Sequence, residues 1–484
     1  MQLKLFPQTA DKAKNGTEGT ADNSRLLPAA HSAAKRGDKK RKATPALVME
    51  EVASDGNLRE AFRKVASNKG APGIDGASIE EVRQRLPAVL SELNRSLLDG
   101  SYRPGEVRRV MIPKAGGGER KLGIPNVIDR IVQQALLEVM QPHFDPTFDE
   151  SSHGFRPGKS CHTAIAEAKG YVEEGYEWVV DIDLEKFFDT VNHQRLLATL
   201  ESQIADRRIV RVIKQLLKAK VVMPDGVVVS NEEGTPQGGP LSPLLSNIVL
   251  TELDKKLRER GHKFVRYADD CNIYVRSKKA GQRALESTTR FIEKRLRLKV
   301  NQAKSAVAQP KDRSFLGFRL EVDELNGKVD IRLSDKSKRK IDTKIRELTP
   351  RGWGQSLDTC IKRINATLIG WIGYFKLCSE QEERTFRGLD AHIRRRLRAI
   401  QLKHWKRKRT IVKQLIQLGV KAKTAWKYIY QGRKSFWALS HTPAVDRGLR
   451  VAFFTERGLV SLGDRWRSLQ PKPNAQMSLA FECP

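Results

Sequence analysis

Three aspartates carry the strongest chemical signal in this sequence: Asp183 at the end of a β-branched run, and Asp269 and Asp270 within Tyr267-Ala268-Asp269-Asp270. Carboxylates are hard oxygen ligands suited to Mg²⁺, which takes one or two of them together with phosphate and water. Two such ions about 3.5–4 Å apart promote phosphoryl transfer, one activating an attacking 3′-hydroxyl and the other neutralising the leaving pyrophosphate. Mn²⁺ is a possible substitute. Aspartates from adjacent strands suffice if Asp183 pairs beside the turn that carries the other two. Taken alone, Y-x-D-D also describes an exposed acidic turn, so the neighbouring elements must decide.

Those elements are legible in outline. Trp178-Val179-Val180-Asp181-Ile182-Asp183 predicts a strand ending in acids. Asp181 reads as a solvated or supporting acid two residues back on the same face. Lys263–Tyr267 and Cys271–Arg276 predict a β-hairpin with Asp269 and Asp270 at its turn. Leu241, Leu244, Leu245, Ile248, Leu253 and Leu257 recur at helical spacing and predict an amphipathic helix over 241–259 covering a sheet. A second helix is expected over Ala280–Leu298, with strands near Val300 and at Phe315–Leu320. This is an α+β plan, a sheet with helices on one face. Upstream, Val107–Pro113 alternates like a strand, and residues 115–119 read as a Gly-rich hairpin tip.

At 484 residues the chain exceeds one compact domain, and its formal net charge of +32 marks a binder of phosphates. About +22 of that charge falls between residues 331 and 470. Five cysteines without a C-x-x-C pair argue against a disulfide framework or a structural zinc site. No run is apolar enough for a membrane span, and no secretory signal opens the chain, so a cytoplasmic location without a membrane partner is expected. Residues 1–56 read as a basic, disordered arm containing Lys39-Lys40-Arg41-Lys42. After Ser334 the pattern becomes helical and basic, with one apolar stripe through Ile361, Ile364, Leu368, Trp371 and Phe375 and another from Phe386 to Ile400.

The motifs occur in a telling order: Lys69-Gly70-Ala71-Pro72-Gly73-Ile74-Asp75-Gly76, Ile112-Pro113-Lys114, His153-Gly154-Phe155-Arg156-Pro157-Gly158-Lys159-Ser160, Asp183-Leu184-Glu185-Lys186-Phe187-Phe188-Asp189, Gly234-Thr235-Pro236-Gln237-Gly238-Gly239-Pro240-Leu241, Tyr267-Ala268-Asp269-Asp270 and Phe315-Leu316-Gly317-Phe318. In this order, from about residue 57 to 465, the sequence resembles the bacterial group II intron-encoded reverse transcriptase/maturases. The resemblance implies a right-hand polymerase with a ferredoxin-like palm sheet, followed by an all-α thumb/maturase region. The implied segments are fingers over 57–177, palm over 178–333, thumb and maturase domain over 334–410, and a basic DNA-binding region and tail over 411–484.

It also implies roles for particular residues. Asp183, five residues before Phe188, is the metal ligand of its motif, with Asp269 and Asp270. Lys114 and Arg120 reach the incoming deoxynucleoside triphosphate, Phe188 gates its sugar, and Gln237 and Gly238 line its base and sugar. Lys121 stands where relatives often carry proline. His153, Arg156 and Lys159 are candidates to grip template phosphates, and Asn301 and Lys304 to lie near the primer. Arg394, Arg395, Arg398, Lys406 and Arg407 are expected to contact intron RNA, and Trp426, Tyr428, Tyr430, Phe436 and Trp437 to meet target DNA or form core. Implied partners are intron RNA, an RNA template, a DNA primer or target, and deoxynucleoside triphosphates. The H-N-H endonuclease domain of many relatives is not expected. Two other readings are a host-adopted reverse transcriptase and a splicing-only maturase.

Overall fold

A computed structural model describes residues 47–113, 118–235, 238–350, 352–431 and 435–471. Among these residues the chain divides into two compact units, the first ending at Leu316 and the second beginning at Gly317.

The first unit holds strands β1 (Val107–Pro113), β2 (Glu119–Ile124), β3 (Trp178–Ile182), β4 (Val221–Val222), β5 (Val228–Val229), β6 (Lys263–Tyr267), β7 (Asp270–Val275) and β8 (Ala306–Ala308). They form two four-stranded sheets, in the orders β2-β1-β4-β5 and β6-β7-β3-β8. In the second sheet all pairs are antiparallel, an arrangement that can bury one face and leave the other open. Helix Ser242–Glu259 buries Leu244, Leu245, Ile248, Leu253 and Leu257, the residues whose period predicted it. Helix Lys278–Phe291 lies on β3, β7 and β8 and continues as a π-helical turn over Ile292–Leu296. A single core unites these elements with helices Asp55–Ser67, Leu86–Asp99 and Val127–Phe144.

Two expected boundaries shift. Folded structure begins before residue 57: helix Met49–Ala53 buries Met49, Val52 and Ala53, and the Met49 backbone N–H donates to Asp206 at 2.8 Å. Five residues are too few to display a helical period, so packing against helices Asp55–Ser67, Leu86–Asp99 and Val127–Phe144 fixes them. The rest of the expected arm, residues 1–46, lies outside the described residues.

The second shift concerns the end of the first unit. The predicted strand near Phe315–Leu320 does not join the sheet of β3. It forms β9 (Phe318–Val322), which pairs with β10 (Val329–Leu333) in a separate two-stranded sheet of the second unit. Phe318 is fully buried there, with Tyr374 stacked at 5.6 Å and Phe375 at 5.0 Å. An apolar strand face pairs with whichever surface buries it, and here helix Leu357–Tyr374 supplies that surface. The rest of this unit is helical. Helix Glu383–Trp405 buries Phe386, Ile393, Leu397 and Ile400, as the apolar stripe predicted.

Candidate active site

The site is built on β3 and the β6–β7 hairpin. Ile182 pairs with Cys271 and Asp181 with Asn272. Continuing that antiparallel register by one residue sets Asp183 abreast of Asp270. Tyr267 pairs with Asp270, leaving Ala268 and Asp269 as a two-residue hairpin loop. Ala268 adopts φ +57°, a left-handed conformation that two-residue hairpins use and that usually calls for glycine or asparagine.

Packing holds Ala268 in that conformation. Arg266 is fully buried and donates to the Ala268 carbonyl at 2.8 Å, to Asn247 Oδ1 at 3.0 Å and to Ser152 Oγ at 2.7 Å. Its charge is met by the equally buried Asp254, at 2.7 and 2.6 Å. Asn247 also donates to the Gly154 carbonyl at 2.8 Å. A Cβ at Gly154 would lie 2.3 Å from the Ala268 nitrogen, so the 152–156 loop can approach the turn only without a side chain there. Neither Arg266 nor Asp254 was singled out in the sequence. Their helical and strand settings gave no sign that two charges would be buried together.

Electrostatically the three aspartates behave as one cluster. Burial raises the pKa of Asp269, with Asp183 adding to the rise and the Arg120 guanidinium opposing it. Asp270 keeps solvent-accessible surface but is surrounded by protein. Burial, then the charges of Asp269, Asp181 and Asp183, push it up to about 7. Two further cations temper the cluster. Lys304 Nζ stands 3.5 Å from the Asp183 carboxylate, and Arg313 grips Asp181 at 2.5 and 3.0 Å. Asp181 is therefore an ion-paired acid and not a solvated one. Asn301 acts through its backbone, its N–H donating to the Asp183 carbonyl at 2.9 Å. The Asp183 N–H in turn donates to Ser305 Oγ at 3.1 Å.

The loops expected around a triphosphate converge on the same unit. Phe188 is half-buried, edge-on to the buried Phe187 at 5.3 Å. The Thr235 N–H donates to the Phe188 carbonyl at 2.7 Å, and the Gly234 N–H to Val191 at 2.8 Å, stitching the Gly-rich loop to the Phe187–Thr190 helix. Gly238 has φ +130°, and a Cβ there would sit 2.5 Å from the Gly123 carbonyl of β2. Arg120 lies on β2 opposite Ile112 and is exposed. Lys114 and Gln237 lie outside the described residues.

The residues expected to hold nucleic acid divide sharply. Arg156 is spent internally: it bonds Asp145 at 2.8 Å and the carbonyls of Asp149 and Ser152 at 2.6 and 2.9 Å, with its side chain only 8% exposed. His153 is buried between Thr163 and Glu167, at 2.8 and 2.7 Å. Lys159 is half-buried and donates to the Glu150 carbonyl at 2.7 Å. In the second unit Arg398 is ion-paired to Asp446 and donates to the Leu449 carbonyl at 2.9 Å, so it too is structural. Arg394 is half-buried, Arg395 lies 4.2 Å over the Trp437 ring, and Lys406 and Arg407 are exposed. Arg156 and Arg398 are paired for one reason: a guanidinium taken out of water needs partners, and the fold supplies them.

Among the described residues no three carboxylate, imidazole or thiolate groups stand together so as to hold a metal ion. The register sets two carboxylates, Asp183 and Asp270, side by side, and Mg²⁺ is a cation that takes one or two carboxylates and completes its shell with phosphate and water.

The fold and this acid-bearing hairpin define a polymerase of the reverse-transcriptase class. Residues 112–320 match the family described as reverse transcriptase (RNA-dependent DNA polymerase), and residues 338–416 match the group II intron, maturase-specific domain. The chain is 36% identical to Protein YkfC of Escherichia coli (strain K12) over 54% of its own length and 80% of that protein. It is 37% identical to the group II intron-encoded protein LtrA of Lactococcus lactis subsp. cremoris, over 43% of this chain but only 34% of that one. To the uncharacterized 91 kDa protein in the cob intron of Schizosaccharomyces pombe it is 35% identical, over 40% of this chain and 24% of that one. The chain belongs to the group II intron-encoded reverse transcriptase/maturases. No helix among the described residues is long and apolar enough to cross a membrane.

Proposed function

We propose that this chain copies group II intron RNA into DNA during retrohoming and assists the splicing of that RNA, using Asp183, Asp269 and Asp270 to hold two Mg²⁺ ions. The observation that carries the polymerase part is the β3–β7 register, which brings Asp183 level with the aspartates of the hairpin turn. When bound, the ions supply an activated 3′-hydroxyl and neutralise the leaving pyrophosphate.

The rest of the machinery is protein. Arg120, which already feels the Asp269 carboxylate, stands on the hairpin that would close over the triphosphate of a deoxynucleotide, and Lys114 is assigned to the same triphosphate. Phe188 excludes a 2′-hydroxyl, and Gln237 and Gly238 are assigned to the binding of base and sugar. Fingers extend from helix Met49–Ala53 to residue 177, and the palm runs from β3 to Leu316. The helical second unit contains the thumb and maturase domain, with Arg394, Arg395, Lys406 and Arg407 toward intron RNA, whose backbone and shape such a face can read. The basic region after residue 410 binds the DNA primer or target. Extension of a DNA primer on an RNA template, with Mg²⁺ and deoxynucleotides, tests this reading. Lack of extension across a range of Mg²⁺ and salt would overturn it.

A further inference from the structure

Helix Ala422–Tyr430 has two faces of opposite character. Ala425 and Ile429 are fully buried, while Lys423, Trp426, Lys427 and Tyr430 are exposed along the opposite side. Trp426 is 46% and Tyr430 41% exposed, and the two rings stack on each other at 4.9 Å with their planes 27° apart. Lys408 Nζ lies 5.3 Å from the Tyr430 ring centroid. The other aromatics of this region behave differently: Tyr428, Phe436 and Trp437 are half-buried. An exposed stack of two large rings is unusual on a folded surface, because such rings normally bury their faces.

The surrounding charge indicates what would cover it. From Ala391 to Val445 the chain contains fifteen Lys and Arg and no Asp or Glu. The helix lies beyond both regions matched by family models, 112–320 and 338–416. A surface of flat rings flanked by lysines complements a polyanion that also offers flat faces. A paired duplex offers charge but hides its base faces, so it uses only half of this surface. Single strands offer both, and their bases stack on aromatic side chains with little regard to sequence.

We propose that Trp426 and Tyr430 form a stacking site for an unpaired base of single-stranded nucleic acid, with Lys423 and Lys427 on the adjoining phosphates. The site deepens the reading of the second unit as a nucleic-acid binder and rests on it.

The test uses the full chain and three 20-nucleotide probes: single-stranded DNA, the same strand with central abasic positions, and its duplex, each repeated as RNA. Wild-type protein should prefer the base-bearing strand to the abasic one. Trp426→Ala with Tyr430→Ala should weaken single-strand binding about 5- to 100-fold, erase the abasic difference and leave the salt slope unchanged. Trp426→Phe should restore part of the loss. Lys423→Ala with Lys427→Ala should instead flatten the salt slope. Because the chain has other basic surfaces, a strand carrying 5-bromouracil is also photocrosslinked, and the adduct should map to the 422–430 peptide. The DNA and RNA arms show which strand is taken. Unchanged binding by the aromatic double variant, an equal loss for duplex, or an adduct only elsewhere overturns the stacking site. Failure of the wild type to bind any probe overturns instead the nucleic-acid reading beneath it.

Discussion

The guanidinium of Arg266 and the carboxylate of Asp254 are both fully buried and meet at 2.6 and 2.7 Å directly behind the Ala268–Asp269 turn. Removing one partner strands a charge in the core, and such losses cost about 3–5 kcal/mol. Asp254→Ala should therefore lower stability by roughly that amount in urea denaturation. Replacing both with leucine should recover part of the stability, since apolar replacement of a buried pair is often neutral. It should not recover polymerisation, because the Ala268 carbonyl loses its donor and the turn its conformation. Recovery of both together would show that the pair serves stability alone.

Asp269→Asn with Asp270→Asn keeps side-chain volume and removes two charges from the cluster. Primer extension should fall by several orders of magnitude, while intron RNA binding, which rests on cations of the second unit that these substitutions leave in place, stays within about twofold. Primer extension and RNA binding, measured on the same folded sample, check both halves. Extension at the wild-type rate would mean that the carboxylates are misassigned.

Phe188→Val should raise ribonucleotide incorporation relative to deoxynucleotide by at least about tenfold, the scale of a removed steric clash in a specificity pocket. The check is the ratio of kcat/KM values for a matched pair of nucleotides. An unchanged ratio in an active variant would remove the gate.

Gly238→Ala places a Cβ 2.5 Å from the Gly123 carbonyl at a backbone φ of +130°. The Gly123 carbonyl is main chain and a Cβ is fixed rigidly to its own backbone, so the loop has to move off β2. Displacements near 1 Å can cost ~10²-fold in rate, and we expect KM for the nucleotide to rise by one to two orders of magnitude. Steady-state kinetics on a template with a single required nucleotide would show it, and wild-type KM would contradict the close approach.

The cations within and just after helix Glu383–Trp405 should separate by role. Lys406→Ala with Arg407→Ala, both exposed, should weaken intron RNA binding and reduce its salt slope without changing stability. Arg398→Ala should lower the thermal midpoint through loss of its pairing with Asp446 and the Leu449 carbonyl. RNA titrations at several salt concentrations, paired with melting curves, distinguish the two. Equal effects from both variants would contradict the division.

Several features of this protein follow from local sequence alone. The place of the Tyr267–Asp270 turn is set by the two apolar runs that flank it, and helix Ser242–Glu259 by its period, so both are readable without the fold, whereas the turn's conformation depends on the buried Arg266. The excess of cations in the C-terminal third is likewise a property of composition. What the sequence could not assign was the fate of individual charges and rings. Arg156 and Arg398 look no different in sequence from Lys406 and Arg407, yet the first two are consumed by carboxylates and carbonyls of their own unit. Trp426 and Trp437 sit in similar basic contexts, but only Trp426 is left in the open. Phe318 reads as one more palm strand and is buried elsewhere, against Tyr374 and Phe375. The physical reason is common to all of them. A side chain's type fixes what its desolvation costs, but whether a partner arrives to offset that cost depends on residues far away in the chain, which only tertiary packing brings within reach.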